Sequence, residues 1–204
     1  MALKFNSTEI PNSGIVKYNS TSLDVVKFGS TEVWKRGLNL LEAPVSDIWT
    51  GDGVVDSNLG TGVCEAPTIQ DTSPYLSGNS FGTGGGCSYG YCYVVTKDAI
   101  DFTNYNWLTI AGNFFKGGEG GQASCIIGYS TNKNVSVIFS TLTGVHGFGS
   151  TFDGGKDFKT VSGTFTGDSF DISKLTGKYY IKILTARAGL SPSGSFEVTK
   201  LILE

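Results

Sequence analysis

Lys4-Phe5-Asn6-Ser7-Thr8-Glu9-Ile10 is the first copy of a phrase that returns as Lys17-Tyr18-Asn19-Ser20-Thr21-Ser22-Leu23. It comes back once more as Lys27-Phe28-Gly29-Ser30-Thr31-Glu32-Val33. The common pattern is Lys, an aromatic, Asn or Gly, Ser, Thr, any residue, then an aliphatic. Each copy predicts a β-hairpin with a two-residue loop at Asn6-Ser7, Asn19-Ser20 or Gly29-Ser30. Asn tolerates positive φ, and Gly in the first central position suits a type II′ turn. The expected partners are Phe5 with Thr8, Lys4 with Glu9 and Leu3 with Ile10. In the third copy they are Phe28 with Thr31, Lys27 with Glu32 and Val26 with Val33. The aromatic and the aliphatic pair then share one face of each hairpin, and the Lys–Glu pair takes the other.

Leu23 and Phe28 are five residues apart, so plain alternation puts them on opposite faces. The chain therefore needs a bulge near Asp24-Val25, or a move from one sheet to another. About 35 residues of short hairpins bury too little surface to be stable alone. They must pack on the rest of the chain, on copies of themselves or on a larger assembly. Arg36-Gly37 marks the boundary between this N-terminal hairpin-repeat module, residues 1–36, and a second domain, residues 37–204.

Beyond the boundary, Leu38 to Leu41 predicts a strand. Residues 42–90 have little periodicity and contain Pro44, Pro67 and Pro74, and they read as a long irregular run. Further strands are expected over Tyr91–Thr96, Asn106–Ala111, Ala123–Tyr129, Val135–Ser140, Lys159–Thr166, Tyr179–Thr185 and Ser195–Leu203. Residues 144–157 read as a Gly-rich loop, and Asp171 to Lys178 as a turn. No segment keeps a 3.6-residue period over about ten residues. With 29 glycines and 25 aromatics in 204 residues, the pattern predicts an all-β chain. A jelly-roll-like β-sandwich is the simplest form of residues 37–204.

The net charge of −3 and the absence of a basic block argue against nucleic acid as a partner. No stretch reaches the roughly 20 apolar residues of a membrane-spanning helix, and Met1 to Phe5 carries no apolar signal-peptide core. These features predict a chain made in a cytoplasm. Of Cys64, Cys87, Cys92 and Cys125, only Cys87 and Cys92 are close in sequence. Their spacing is not that of a zinc site, so free thiols or a single disulfide are expected. Gly82 to Gly90 is Gly-rich but lacks the Lys-Ser/Thr that closes a phosphate-binding loop. His146 is the only histidine, and no Gly-x-Ser-x-Gly elbow occurs. The acidic residues fall mostly in turns, where Asp is expected for conformational reasons. That includes Asp47, Asp52 and Asp56 in one loop and Asp153 and Asp157 in another, oxygen-rich loops that lack the ligand density of a dedicated calcium site. The expectation is a non-enzymatic protein without cofactor or metal.

Sugar binding is the more serious option. Sugar C–H faces stack on aromatic rings while their hydroxyls seek Asp, Asn and backbone groups. The irregular regions place Trp49, Tyr75, Tyr89, Tyr91, His146 and Phe148 among Asp, Asn and Gly, and these are the candidate glycan-binding residues. The competing role for each is packing in the core of the sandwich. Trp107 and Tyr93 lie in predicted strands and are assigned to that core.

The phrase Lys27-Phe28-Gly29-Ser30-Thr31-Glu32-Val33-Trp34 resembles those in structural proteins of tailed bacteriophages and prophages. In them, N-terminal hairpin repeats precede a β-rich domain. The stretch Asp171-Ile172-Ser173-Lys174-Leu175-Thr176-Gly177-Lys178-Tyr179-Tyr180-Ile181 and the ending Leu201-Ile202-Leu203-Glu204 are similar to lectin-like jelly rolls of phage and bacterial surface proteins. The resemblance implies a virion protein of the tail, fibre or decoration type. It would contact other virion proteins through residues 1–36, with binding of host surface polysaccharide as the alternative role, and a homo-oligomer (a trimer if part of a fibre) is expected because the repeat module is too small to stand alone. It names no site residues.

Overall fold

The computed structural model describes residues 4–5, 8–9, 16–18, 21–23, 25–28, 31–35, 37–55, 63–81, 88–117, 122–135, 156–160, 163–189 and 193–204. The first six strands form three separate two-stranded antiparallel sheets. Strand β1 (Lys4–Phe5) pairs with β2 (Thr8–Glu9), placing Lys4 opposite Glu9 and Phe5 opposite Thr8. Strand β3 (Val16–Tyr18) pairs with β4 (Thr21–Leu23), and β5 (Val25–Phe28) with β6 (Thr31–Lys35). The chain thus changes sheet between Leu23 and Val25. The third pair corrects one expected partner. Lys27 lies opposite Glu32 and Phe28 opposite Thr31, but Val26 lies opposite Trp34, because the register slips by one and Val33 is bulged out. Leu3, Ile10 and the hairpin loop residues lie outside the described residues.

Two larger sheets follow. After β7 (Leu38–Asn39) comes a single helical turn, α1 (Val45–Ile48), then β8 (Trp49–Val55), β9 (Val63–Cys64), β10 (Thr68–Ile69), β11 (Leu76–Phe81) and β12 (Ser88–Thr96). Next are β13 (Ile100–Asp101), β14 (Trp107–Gly117), β15 (Gln122–Ser130), β16 (Lys156–Thr160), β17 (Gly163–Asp171), β18 (Lys178–Gly189) and β19 (Ser193–Leu203). The first sheet runs β10-β11-β19-β14-β17, with β7 beside β19 and β9 beside β11. The second runs β16-β15-β18-β12-β8, with β13 beside β18. All these pairs are antiparallel.

Alternation explains how the sheets share a core. On β14, Leu108, Ile110 and Phe114 are buried, and on β19 Phe196, Val198, Leu201 and Leu203. They meet Val94, Ile127, Ile181 and Ile183 of the second sheet in one apolar cluster. The architecture is therefore all-β and sandwich-like. Small residues let the sheets approach on one side. A Cβ at Gly78 would lie 2.7 Å from Cys92 Sγ and 2.8 Å from the Phe196 ring. A Cβ at Gly51 would strike the backbone of Tyr93, and one at Gly53 the backbone of Cys64 and Glu65.

The structure corrects the view of residues 42–90 as one irregular run. Strands β8, β10 and β11 lie within it, and β8 and β11 belong to the two main sheets. Their sequences, Trp49-Thr50-Gly51-Asp52-Gly53-Val54-Val55 and Leu76-Ser77-Gly78-Asn79-Ser80-Phe81, carry glycine where the inner face is tight, and this masks the strand alternation. The expected strand Val135–Ser140 falls outside the described residues apart from Val135, which is not in a strand. Asp171 to Lys178 does turn the chain: the Asp171 carboxylate accepts from the Ser173 amide (2.9 Å) and hydroxyl (2.6 Å), and Gly177 has φ +96°.

Candidate functional site: an aromatic pair on the second sheet

Strand β12 places Cys92 and Val94 inward, so Tyr91, Tyr93 and Val95 project from the opposite face of the second sheet. Tyr91 and Tyr93 are both half-buried, and their rings lie 6.0 Å apart with 33° between planes. Asp52, on the neighbouring strand β8, lies opposite Tyr93 and is exposed. Two phenol rings and a carboxylate therefore sit side by side on this sheet face. Burial raises both phenol pKa values. For Tyr91 the Tyr93 ring and then Asp52 add to the rise, and for Tyr93 Asp52 and then Cys92 do so. Both phenols stay neutral hydrogen-bonding groups at ordinary pH.

The rest of this face is covered. Val95, Lys182 and Leu184 share it by register yet are all buried, Lys182 completely. The chain after β15 crosses here. The Lys182 ammonium donates to the Asn134 carbonyl at 2.6 Å, and the Tyr91 hydroxyl donates to the Val135 carbonyl at 3.4 Å. At the sheet's other margin the Lys133 ammonium donates to the Lys97 carbonyl at 2.8 Å. The aromatic pair thus borders a covered region, which gives it a wall as well as a floor. Such a ledge can stack the C–H face of a ring while Asp52 accepts hydroxyl hydrogen bonds.

The sequence candidates separate in the structure. Trp49 is corrected to a core residue: it is 1% exposed, and its indole N–H donates to the Leu40 carbonyl at 2.6 Å, leaving no ring face for a ligand. Tyr75 is half-buried and packs against the core cluster, with its amide donating to the Val198 carbonyl of the first sheet at 3.0 Å. Tyr89 lies on β12 with its side chain outside the described residues, as are His146 and Phe148 altogether. Of the six, Tyr91 alone falls in the pair. The assignment of Trp107 to the core is also corrected: it is 46% exposed on the outer face of the first sheet, as is Phe115 at 54%. The signal was in the sequence, since inward Leu108 and Ile110 force Trp107 outward. Among the described residues no group of three or more His, Cys, Asp or Glu gathers to hold a metal.

No protein-family description matches the chain, and no curated protein matches it significantly.

Proposed function

We propose that the chain is a non-enzymatic structural protein of a tailed-bacteriophage particle, displayed on its surface as a tail, fibre or decoration component. The observation that carries this reading is the threefold Lys-aromatic-x-Ser-Thr phrase, whose resemblance to phage structural proteins is its main support. In this reading residues 1–36 are a β-hairpin repeat module that attaches to other virion proteins. Residues 37–204 form a jelly-roll-like sandwich facing outward, in a homo-oligomer. The test is to delete codons 2–36 in the phage or prophage genome and assay purified particles for the protein by mass spectrometry. Unchanged incorporation of the shortened chain would sink the attachment role.

A second reading, recognition of host surface glycan, is favoured by the Tyr91–Tyr93–Asp52 ledge. The full-length chain should bind host wall polysaccharide saturably. Tyr91→Ala and Tyr93→Ala should each weaken binding about tenfold or more, the scale of one lost stacking contact of about 1–2 kcal/mol. Periodate treatment of the polysaccharide should abolish it. Equal binding by folded variants would remove the ledge from consideration.

A further inference from the structure

Cys64 and Cys92 are 28 positions apart in sequence, and neither is in a disulfide in this structure. The fold brings them to the same corner. Cys64 on β9 lies opposite Ser80 on β11, so the two side chains share one face of the first sheet. That face is the inner one, because the Ser80 hydroxyl lies 3.3 Å from the Thr185 hydroxyl of the second sheet. Thr185 in turn lies opposite Cys92. Cys92 is buried and directed inward, with its sulfur against Gly78, two residues from Ser80.

The lateral order agrees. Gly53 lies opposite Cys92 on β8, and the Cys64 backbone passes directly over Gly53. Cys64 and Cys92 therefore stand on the same side of the Ser80–Thr185 contact, one on each sheet. Glycines at 53 and 78 leave room for atoms of the facing sheet where a Cβ would collide with them. Burial pushes the Cys92 thiol up to about 12. The Asn79 amide opposes the rise, and Cys64 adds to it, so the two thiols sense one another.

We propose that Cys64 and Cys92 are a cross-sheet disulfide site, which closes under oxidising conditions and staples the β9 edge to the second sheet. The chemistry balances with a small-molecule disulfide as oxidant. The partly exposed Cys64 thiolate attacks one sulfur of the oxidant, forming a mixed disulfide and releasing one thiolate. The Cys92 thiolate then attacks the Cys64 sulfur, forming the Cys64–Cys92 bond and releasing the second. The two protons lost from the protein thiols end on the two released thiolates. Because Cys92 is held protonated by burial, the second step is slow near neutrality and accelerates as pH rises. This inference is independent of the virion and glycan readings.

The test uses the full-length chain, incubated folded with oxidised glutathione, alkylated, and digested without reduction. Glutamyl endopeptidase cuts after Glu65, and chymotrypsin after Tyr89 and Tyr91, so Cys64, Cys87 and Cys92 fall on separate peptides. The expected product links the Cys64 and Cys92 peptides. It persists in a Cys87→Ser/Cys125→Ser double variant and disappears in Cys64→Ser. The oxidised double variant should melt about 5–10 °C above its reduced form, the scale of a disulfide that closes a loop of this length. Cys92 linked instead to Cys87 or Cys125, a Cys64 that remains alkylatable in folded oxidised protein, or an unchanged melting temperature would each overturn the proposal.

Discussion

Trp49→Phe separates a core tryptophan from a ligand-stacking one. The indole of Trp49 is 1% exposed, and its N–H meets the Leu40 carbonyl at 2.6 Å inside the protein. Phenylalanine keeps an aromatic ring but removes the donor and leaves a void. A buried acceptor without its partner costs about 1–3 kcal/mol. The missing volume, on the order of 40 Å³, adds about 1 kcal/mol. The expected loss is thus about 2–4 kcal/mol, or roughly 5–15 °C in melting temperature for a chain of this size. Urea unfolding followed by far-ultraviolet circular dichroism measures it without relying on the fluorophore that the substitution removes. Glycan binding by the folded variant, if the wild type binds, should be unchanged. A variant within about 0.5 kcal/mol of wild type, the range of an ordinary surface substitution, would refute the buried hydrogen-bonded role.

Two further substitutions test the backbone and the site. Gly112→Ala should destabilise by more than about 3 kcal/mol, because Gly112 has φ +155° and a Cβ there would collide with the Glu197 carbonyl. Gly177→Ala, at φ +96° in open space, should cost only about 1–2 kcal/mol, so equal melting temperatures for the two variants would contradict the packing on β14. At the ledge, Asp52→Asn should lower the Tyr93 phenol pKa, and the Tyr91 one less, in a tyrosinate absorbance titration assigned with Tyr93→Phe. Both folded pKa values lie above the unfolded value of about 10, so their contribution to stability is complete below that pH and is lost as pH rises through the folded values. Titrations unmoved by Asp52→Asn would place the carboxylate away from the pair.

Local chemistry was legible wherever alternation ran unbroken. Tyr91–Thr96 and Tyr179–Thr185 each sit inside a longer observed strand, because inward residues such as Val94, Ile181 and Ile183 recur every second position. Strands β8 and β11 were not legible, since glycines occupy inner-face positions where a sequence reader expects apolar side chains. The site was only partly legible. Tyr91 stands out by its aromatic character beside a Gly-rich stretch, whereas lying in a strand does not by itself tell which face Tyr93 takes.

Local pattern is enough for the all-β class, the absence of a long helical period and the N-terminal hairpin phrase, because these depend on neighbours two to five positions apart. Which side of each strand faces the core was decided by tertiary structure. Trp49 and Trp107 show why: each opens a strand, yet one is buried against Leu40 and the other lies on an outer face. Strand parity is fixed by the partner sheet, and bulges such as the one between Ala111 and Gly112 shift it midway. The same holds for Asp52 beside Tyr93 and for Cys64 beside Cys92. Such neighbours come from pairing and layering between strands far apart in sequence, and no local pattern encodes them.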